Sequence, residues 1–140
     1  MKYFKTGFTA IIFIFILCLD VSGQSSTSVV DFYSPSLDEE REMIVYLPEG
    51  YNEVNDSSRY PVIYFLHGAT PNYRLYDPAF PAFESLMKSG DLRQSIVVMP
   101  NATFDPFSGS FYTNSEASGL FEDYIYKDVI SYIDSTYRSL

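Results

Sequence analysis

The 140 residues, 46% hydrophobic and 18% aromatic, are enough for one domain with a core and too few for two. With 18 acidic against 9 basic residues the net charge is −9, and a chain without clustered Lys and Arg has no means of neutralising a phosphate backbone, which excludes nucleic acid as a partner. Cys18 is the only cysteine, which excludes an internal disulfide.

Lys2 and Lys5 precede an apolar run over residues 8–19, followed by Val21, Ser22 and Gly23. A basic start, a short apolar centre and a small-residue exit predict a signal peptide over residues 1–23, cut after Gly23, and therefore a secreted or periplasmic protein. The run is shorter than the roughly 20 residues of a spanning helix, so no stable membrane anchor is expected after cleavage. Cys18 leaves with the signal, and residues 24–140, with a net charge of −10, are expected to form one domain held by its core alone.

Residues 29–33 then read as a strand and 34–36 as a turn. Residues 43–47 are apolar and β-branched between charged flanks, which predicts a second strand, and 52–59 is a polar loop. Residues 62–66 lack any polar alternation, the pattern of a strand buried on both faces in a parallel sheet. Pro81 suits the first turn of a helix that shows Phe83, Leu86 and Met87 on one face and ends at Ser89 and Gly90. Residues 95–99 form the next strand, so strand, helix and strand make a parallel crossover. After a loop over 101–118, Ser118 is the expected N-cap of a last helix with Phe121, Ile125, Val129 and Ile133 facing inward. Glu122, Asp123, Asp128 and Asp134 on that helix read as a solvated acidic face. Asn55-Asp-Ser57 and Asn101-Ala-Thr103 are sequons, of consequence only in a glycosylating host.

His67, the one histidine, ends the apolar strand and is followed by Gly68. The loop after a buried parallel strand lies at the carboxyl edge of the sheet, where open α/β folds bind ligands. Glycine at 68 turns the chain without a side chain in the way, so the Ala69 N–H can serve as an oxyanion donor. A single histidine with no second histidine or carboxylate beside it offers no ligand set, so neither metal nor cofactor is expected.

Three stretches carry a resemblance: "EREMIVYLPEGYNEVNDSSRYPVIYFLHGA", "SIVVMPNATF" and "GSFYTNSEASGLFEDYIYKDVISYIDSTYR". Their order and endings (Leu-Pro then Gly-Tyr, Tyr-Pro-Val leading to Leu-His-Gly, Met-Pro, and a following helix) resemble the esterase D and feruloyl esterase branch of the α/β-hydrolase fold, over roughly residues 34–138. The resemblance implies a mostly parallel sheet flanked by helices and a secreted serine esterase acting on carbohydrate-linked acyl esters such as feruloyl or acetyl groups. It assigns His67, Gly68 and Ala69 to the oxyanion loop, with the imidazole bracing that loop, and Tyr112 and Asn114 to a loop on the substrate side. Such enzymes place their nucleophile in G-x-S-x-G, followed by an acid and a histidine. This sequence has no G-x-S-x-G and no histidine after His67. The expectation is thus an amino-terminal half, truncated before the nucleophile strand and inactive alone. An acyltransferase of the mycolyltransferase type, in which a sugar hydroxyl outcompetes water, and a non-catalytic binding module are the alternatives.

Overall fold

The computed structural model describes residues 23–52, 57–106 and 109–140. The signal-peptide expectation, save Gly23, lies outside the described residues, as do Cys18 and Asn55. No described helix is long and apolar enough to cross a membrane.

Strand β1 (Ser26–Ser34) folds back on β2 (Glu39–Leu47) through a turn in which Asp38 takes a positive φ of 55°. The pair is antiparallel, with Ser34 opposite Glu39 and Ser26 opposite Leu47. Strand β3 (Val62–Tyr64) is followed by a 3-10 turn (Tyr73–Tyr76), helix α1 (Ala79–Ser89) and β4 (Ile96–Pro100). The sheet order is β1-β2-β4-β3. Gly90 ends α1 in the left-handed region at φ 82°, its N–H bonded to the Met87 carbonyl, a C-terminal cap that glycine adopts without a Cβ penalty.

Successive strand residues face opposite sides, so β2 and β4 split the core in two. Met43, Val45, Ile96 and Val98 pack on one side with Phe121, Tyr124, Val129 and Ile133 of the last helix. Ile44, Tyr46, Val97 and Met99 pack on the other with Phe80 and Met87 of α1. Helices thus cover both faces, and β4, buried along its whole length, has the uninterrupted apolar sequence that this requires.

The sheet is mixed where a mostly parallel one was expected. Among the described strands β3 and β4 run parallel, while β2 is antiparallel to both β1 and β4. The short turn between β1 and β2 permits only an antiparallel pair, and β2 separately runs antiparallel to β4. The strand expected over 62–66 is also shorter and less buried: β3 is half-buried throughout and Leu66 is exposed. The reason is position, since β3 lies at the edge of the described sheet, and the burial on both faces belongs to β4 instead. Near that edge Tyr60 and Ser139 form a parallel bridge, with the Leu140 N–H donating to the Tyr60 carbonyl at 3.0 Å. On α1 the buried residues are Phe80 and Met87, and Leu86, expected inside, is exposed.

The last helix begins at Phe121, three residues past the expected cap. A two-residue ladder between β5 (Asn114–Ser115) and β6 (Gly119–Leu120) holds Ser118 in its turn, hydrogen-bonded to Ser115. The helix is α over α2 (Phe121–Asp123), widens to a π-helical segment (Tyr124–Val129), and returns to α over α3 (Ile130–Thr136). The wide segment accounts for an inward face at 121, 124, 129 and 133, where even four-residue spacing would place Ile125 instead of Tyr124 in the core.

Asp128 does not belong to a solvated face. Its carboxylate accepts from the Ser34 hydroxyl at 2.6 Å, the Ser36 N–H at 2.9 Å and the Ser36 hydroxyl at 3.0 Å, pinning the β1–β2 turn to the helix. Ser34 is fully buried, so removing its acceptor strands a polar group. Asp128→Ala is expected to cost about 2 kcal/mol, read as a lower urea midpoint at unchanged slope.

Candidate functional site

The parallel strands β3 and β4 end at one edge of the sheet, and the loops that follow them meet there. His67 comes from the first loop and Ala102 from the second. The imidazole is 3% exposed, and the Ala102 N–H donates to its Nε2 at 3.1 Å. A backbone N–H can only donate, so Nε2 carries no proton. The proton sits on Nδ1, which donates to the Gly68 carbonyl 2.8 Å away. Burial holds the His67 pKa below its ordinary value, in keeping with a neutral ring. Tyr73, Tyr76 and Tyr112 surround it at centroid distances of 5.9, 6.1 and 5.8 Å.

The Gly68 carbonyl and the Ala69 N–H belong to one planar peptide group. Anchoring the oxygen at His67 Nδ1 therefore fixes the direction of the N–H and polarises it. The preceding peptide is anchored as well, because the Tyr112 hydroxyl donates to the His67 carbonyl at 2.9 Å. Two successive peptide planes are thus held, and the donor at their end, the Ala69 N–H, meets no acceptor among the described residues. A Cβ at position 68 would collide with the Tyr76 hydroxyl, so the close approach of Tyr76 explains why this position is glycine.

Tyr112 reaches the loop from a backbone that few residues adopt. Phe111 and Tyr112 both have left-handed φ, 56° and 54°, and the segment is tied down by Ser110, whose hydroxyl accepts from the Tyr112 N–H at 3.2 Å. The Ser110 N–H in turn donates to the Ala102 carbonyl at 3.2 Å. Burial pushes the Tyr112 pKa up, so its phenol stays a neutral donor. His67, Gly68, Ala69, Ala102 and the segment Gly109 to Tyr112 enclose a cavity of about 390 Å³.

Of the residues singled out in the sequence, His67, Gly68, Ala69 and Tyr112 come together here. Asn114 stands apart. Its Oδ1 accepts from the N–H groups of Glu122 and Asp123 at 3.0 and 3.1 Å and its Nδ2 donates to the Asp123 carboxylate at 3.0 Å, so it caps the last helix. Ala102, Ser110 and Arg41 were not expected at the site. Ala102 acts through its backbone and leaves no side-chain signal, while Arg41 gives one faint sign, a lone cation within an acidic run. The Arg41 Nη2 donates to the Thr103 carbonyl at 2.9 Å, and its guanidinium lies 5.1 Å from the Phe121 ring and 5.8 Å from that of Tyr124. Asn101 completes the support, its Oδ1 accepting from the Thr103 N–H at 3.0 Å and hydroxyl at 2.7 Å.

The arrangement can stabilise negative charge on an oxygen brought to Ala69. Both nitrogens of the only histidine are engaged by the backbone, so His67 itself is not placed to take a proton from a nucleophile. Among the described residues no three His, Cys, Asp or Glu side chains gather as a metal site would require.

A family model described as "Putative esterase" matches residues 34–140. No curated protein sequence matches the chain. Among solved structures, a ferulic acid esterase superposes with a TM-score of 0.71 at 26% identity, over 84% of this chain and 45% of its own. A ferulic acid esterase from Anaeromyces mucronatus, solved in the absence of substrate, gives 0.63 at 26% identity, over 83% and 45%. An S-formylglutathione hydrolase from Agrobacterium tumefaciens gives 0.59 at 17% identity, over 84% and 46%, a likeness of fold alone. The chain therefore spans less than half the length of these structures.

Proposed function

The chain belongs to the esterase family whose model it matches over residues 34–140, with the α/β-hydrolase fold, and on that premise we propose that it supplies the oxyanion-binding side of a carboxylic ester hydrolase. The observation that carries this reading is the Ala69 N–H, presented at a cavity by two anchored peptide planes with no protein acceptor of its own among the described residues. In the reaction, an ester carbonyl oxygen becomes an alkoxide as the nucleophile adds. A donor already aimed at it needs no reorganisation at that moment. His67 contributes by holding the Gly68 carbonyl, and it gains no proton in the cycle.

The nucleophilic serine, the acid and the base histidine come in this reading from residues outside these 140, because the sequence lacks G-x-S-x-G and its one histidine is committed. The amide after that serine is the second oxyanion donor. Carbohydrate-linked acyl esters are the proposed substrates, and the likeness to two ferulic acid esterases at 26% identity supports this class. Residues 1–23 are proposed as an export signal, which suits an enzyme that meets polysaccharide outside the cell.

The test has two arms. Assayed alone with p-nitrophenyl acetate and methyl ferulate, the 140 residues are expected to give no hydrolysis above background. Source DNA read past the codon for Leu140 is expected to continue into G-x-S-x-G, an acidic residue and a histidine, and the longer product to hydrolyse both esters. A stop codon with no turnover from any form would remove the hydrolase reading and favour a binding module. Turnover by the 140 residues that a serine replacement abolishes would show that the nucleophile lies within them.

A further inference from the structure

The hydrolase reading leaves one polar side chain of the Ala69 cavity without a task. Ser110 lines that cavity and is 3% exposed, so bulk water does little to satisfy its hydroxyl. The hydroxyl oxygen accepts from the Tyr112 N–H at 3.2 Å, which leaves its proton without an acceptor among the described residues. A buried donor of this kind calls for a partner. The other polar side chains of the lining are committed: both nitrogens of His67 bond backbone groups, and the Tyr112 hydroxyl donates to the His67 carbonyl.

The backbone carries Ser110 to the oxyanion donor. Gly109 packs on Ala69, since a Cβ placed on it would lie 3.7 Å from the Ala69 Cα. Ser110 follows, its Cα about 3.8 Å further along. Its N–H donates to the Ala102 carbonyl at 3.2 Å, which ties it to the loop after β4. The left-handed Phe111 and Tyr112 then bring the Tyr112 N–H back onto the Ser110 oxygen, so the strain in these two residues holds the hydroxyl in place. An oxygen that accepts one hydrogen bond donates its own proton more strongly. A fixed amide donor and a polarised hydroxyl donor thus share one cavity.

The described residues do not make this serine a nucleophile. His67 is not placed to take its proton, and the cavity lining holds no carboxylate or lysine that would. What a neutral hydroxyl can still do there is donate. We propose that the Ser110 hydroxyl is a further donor to the carbonyl oxygen held by the Ala69 N–H, bonding it in the bound ester and more strongly once that oxygen carries charge. Its part in catalysis rests on the hydrolase reading; its bond to a bound ester does not.

The first test needs no turnover: the 140-residue chain is titrated with methyl ferulate and followed by ¹⁵N NMR. Saturable shifts are expected at the Ala69 and Ser110 amides, with Ser110→Ala weakening binding about threefold. In the longer product the same change is expected to lower kcat about 30-fold and to raise KM no more than about threefold, because the bond strengthens as charge develops. Ser110→Thr keeps a hydroxyl and is expected to recover most of the loss. Hydrogen exchange at the Ala69 amide separates donation from a role in holding Tyr112, and is expected to stay native in Ser110→Ala. Absence of saturation, binding indifferent to Ser110→Ala, or a fall in kcat matched by faster exchange at Ala69 would each overturn the proposal. Hydrolysis with a kcat independent of Ser110 removes this assignment alone, and Ser110-dependent binding in a protein with no hydrolytic form removes the hydrolase reading alone.

Discussion

Replacing His67 by Phe is expected to destabilise the fold by about 2–3 kcal/mol, although ring volume and the contacts with Tyr73, Tyr76 and Tyr112 are largely kept. What is lost is polar. The Ala102 N–H loses its acceptor and the Gly68 carbonyl loses its donor, in surroundings that leave the ring 3% exposed. A second signature belongs to the imidazole alone. Unfolded, a histidine takes up its proton near pH 6.5; folded, His67 takes it up only at lower pH, because burial penalises the cation. Between those values the unfolded state binds more protons, so stability falls on acidification, by at most about 1.4 kcal/mol per pH unit. Thermal melts at a series of pH values from neutral to 5 should show this decline in the native sequence and lack its share in His67→Phe. Equal stability at neutral pH with identical pH profiles would mean that the ring is mere filling.

The same residue shows how far the sequence could be read. That His67 ends an apolar run and that a glycine follows it is written in the local pattern, whereas the clash a side chain at 68 would meet with Tyr76 is not. Nor is the tautomer. It depends on the Ala102 N–H, 35 positions away, and that contact exists only because β4 brings the end of its loop beside that of β3. Strand positions were legible for the same reason that core residues were, since a run such as Ile96 to Met99 has no other stable place. Pairing direction was less so: the turn after Ser34 could be seen, but not that the hairpin would extend through Glu40, Arg41 and Glu42. There cross-strand pairing with Tyr33, Phe32 and Asp31 outweighs the charge of the segment. The capping role of Asn114 was hidden by its neighbourhood. The residue lies in an aromatic loop beside Tyr112, and its capping bonds to Glu122 and Asp123 became evident only with the ladder that turns the chain back.

In the complete hydrolase proposed here, exchanging Ala69 for L-lactic acid by semisynthesis is expected to lower kcat by about 10²- to 10³-fold, the loss typical of one oxyanion donor. The exchange turns one amide into an ester and deletes the N–H alone, leaving the methyl group, the length of the chain and the Gly68 carbonyl in place. KM should change little, because the oxygen gains most of its charge after binding. Tyr112→Phe offers the contrast. The phenol touches the His67 carbonyl, one peptide upstream of the donor, so its loss loosens the donor without removing it. A smaller fall in kcat, about tenfold, is expected there, accompanied by faster hydrogen exchange at the Ala69 amide. Were the lactate exchange to leave kcat unaltered, the two anchored peptide planes would be a structural feature of the loop and the oxyanion would have to be held elsewhere.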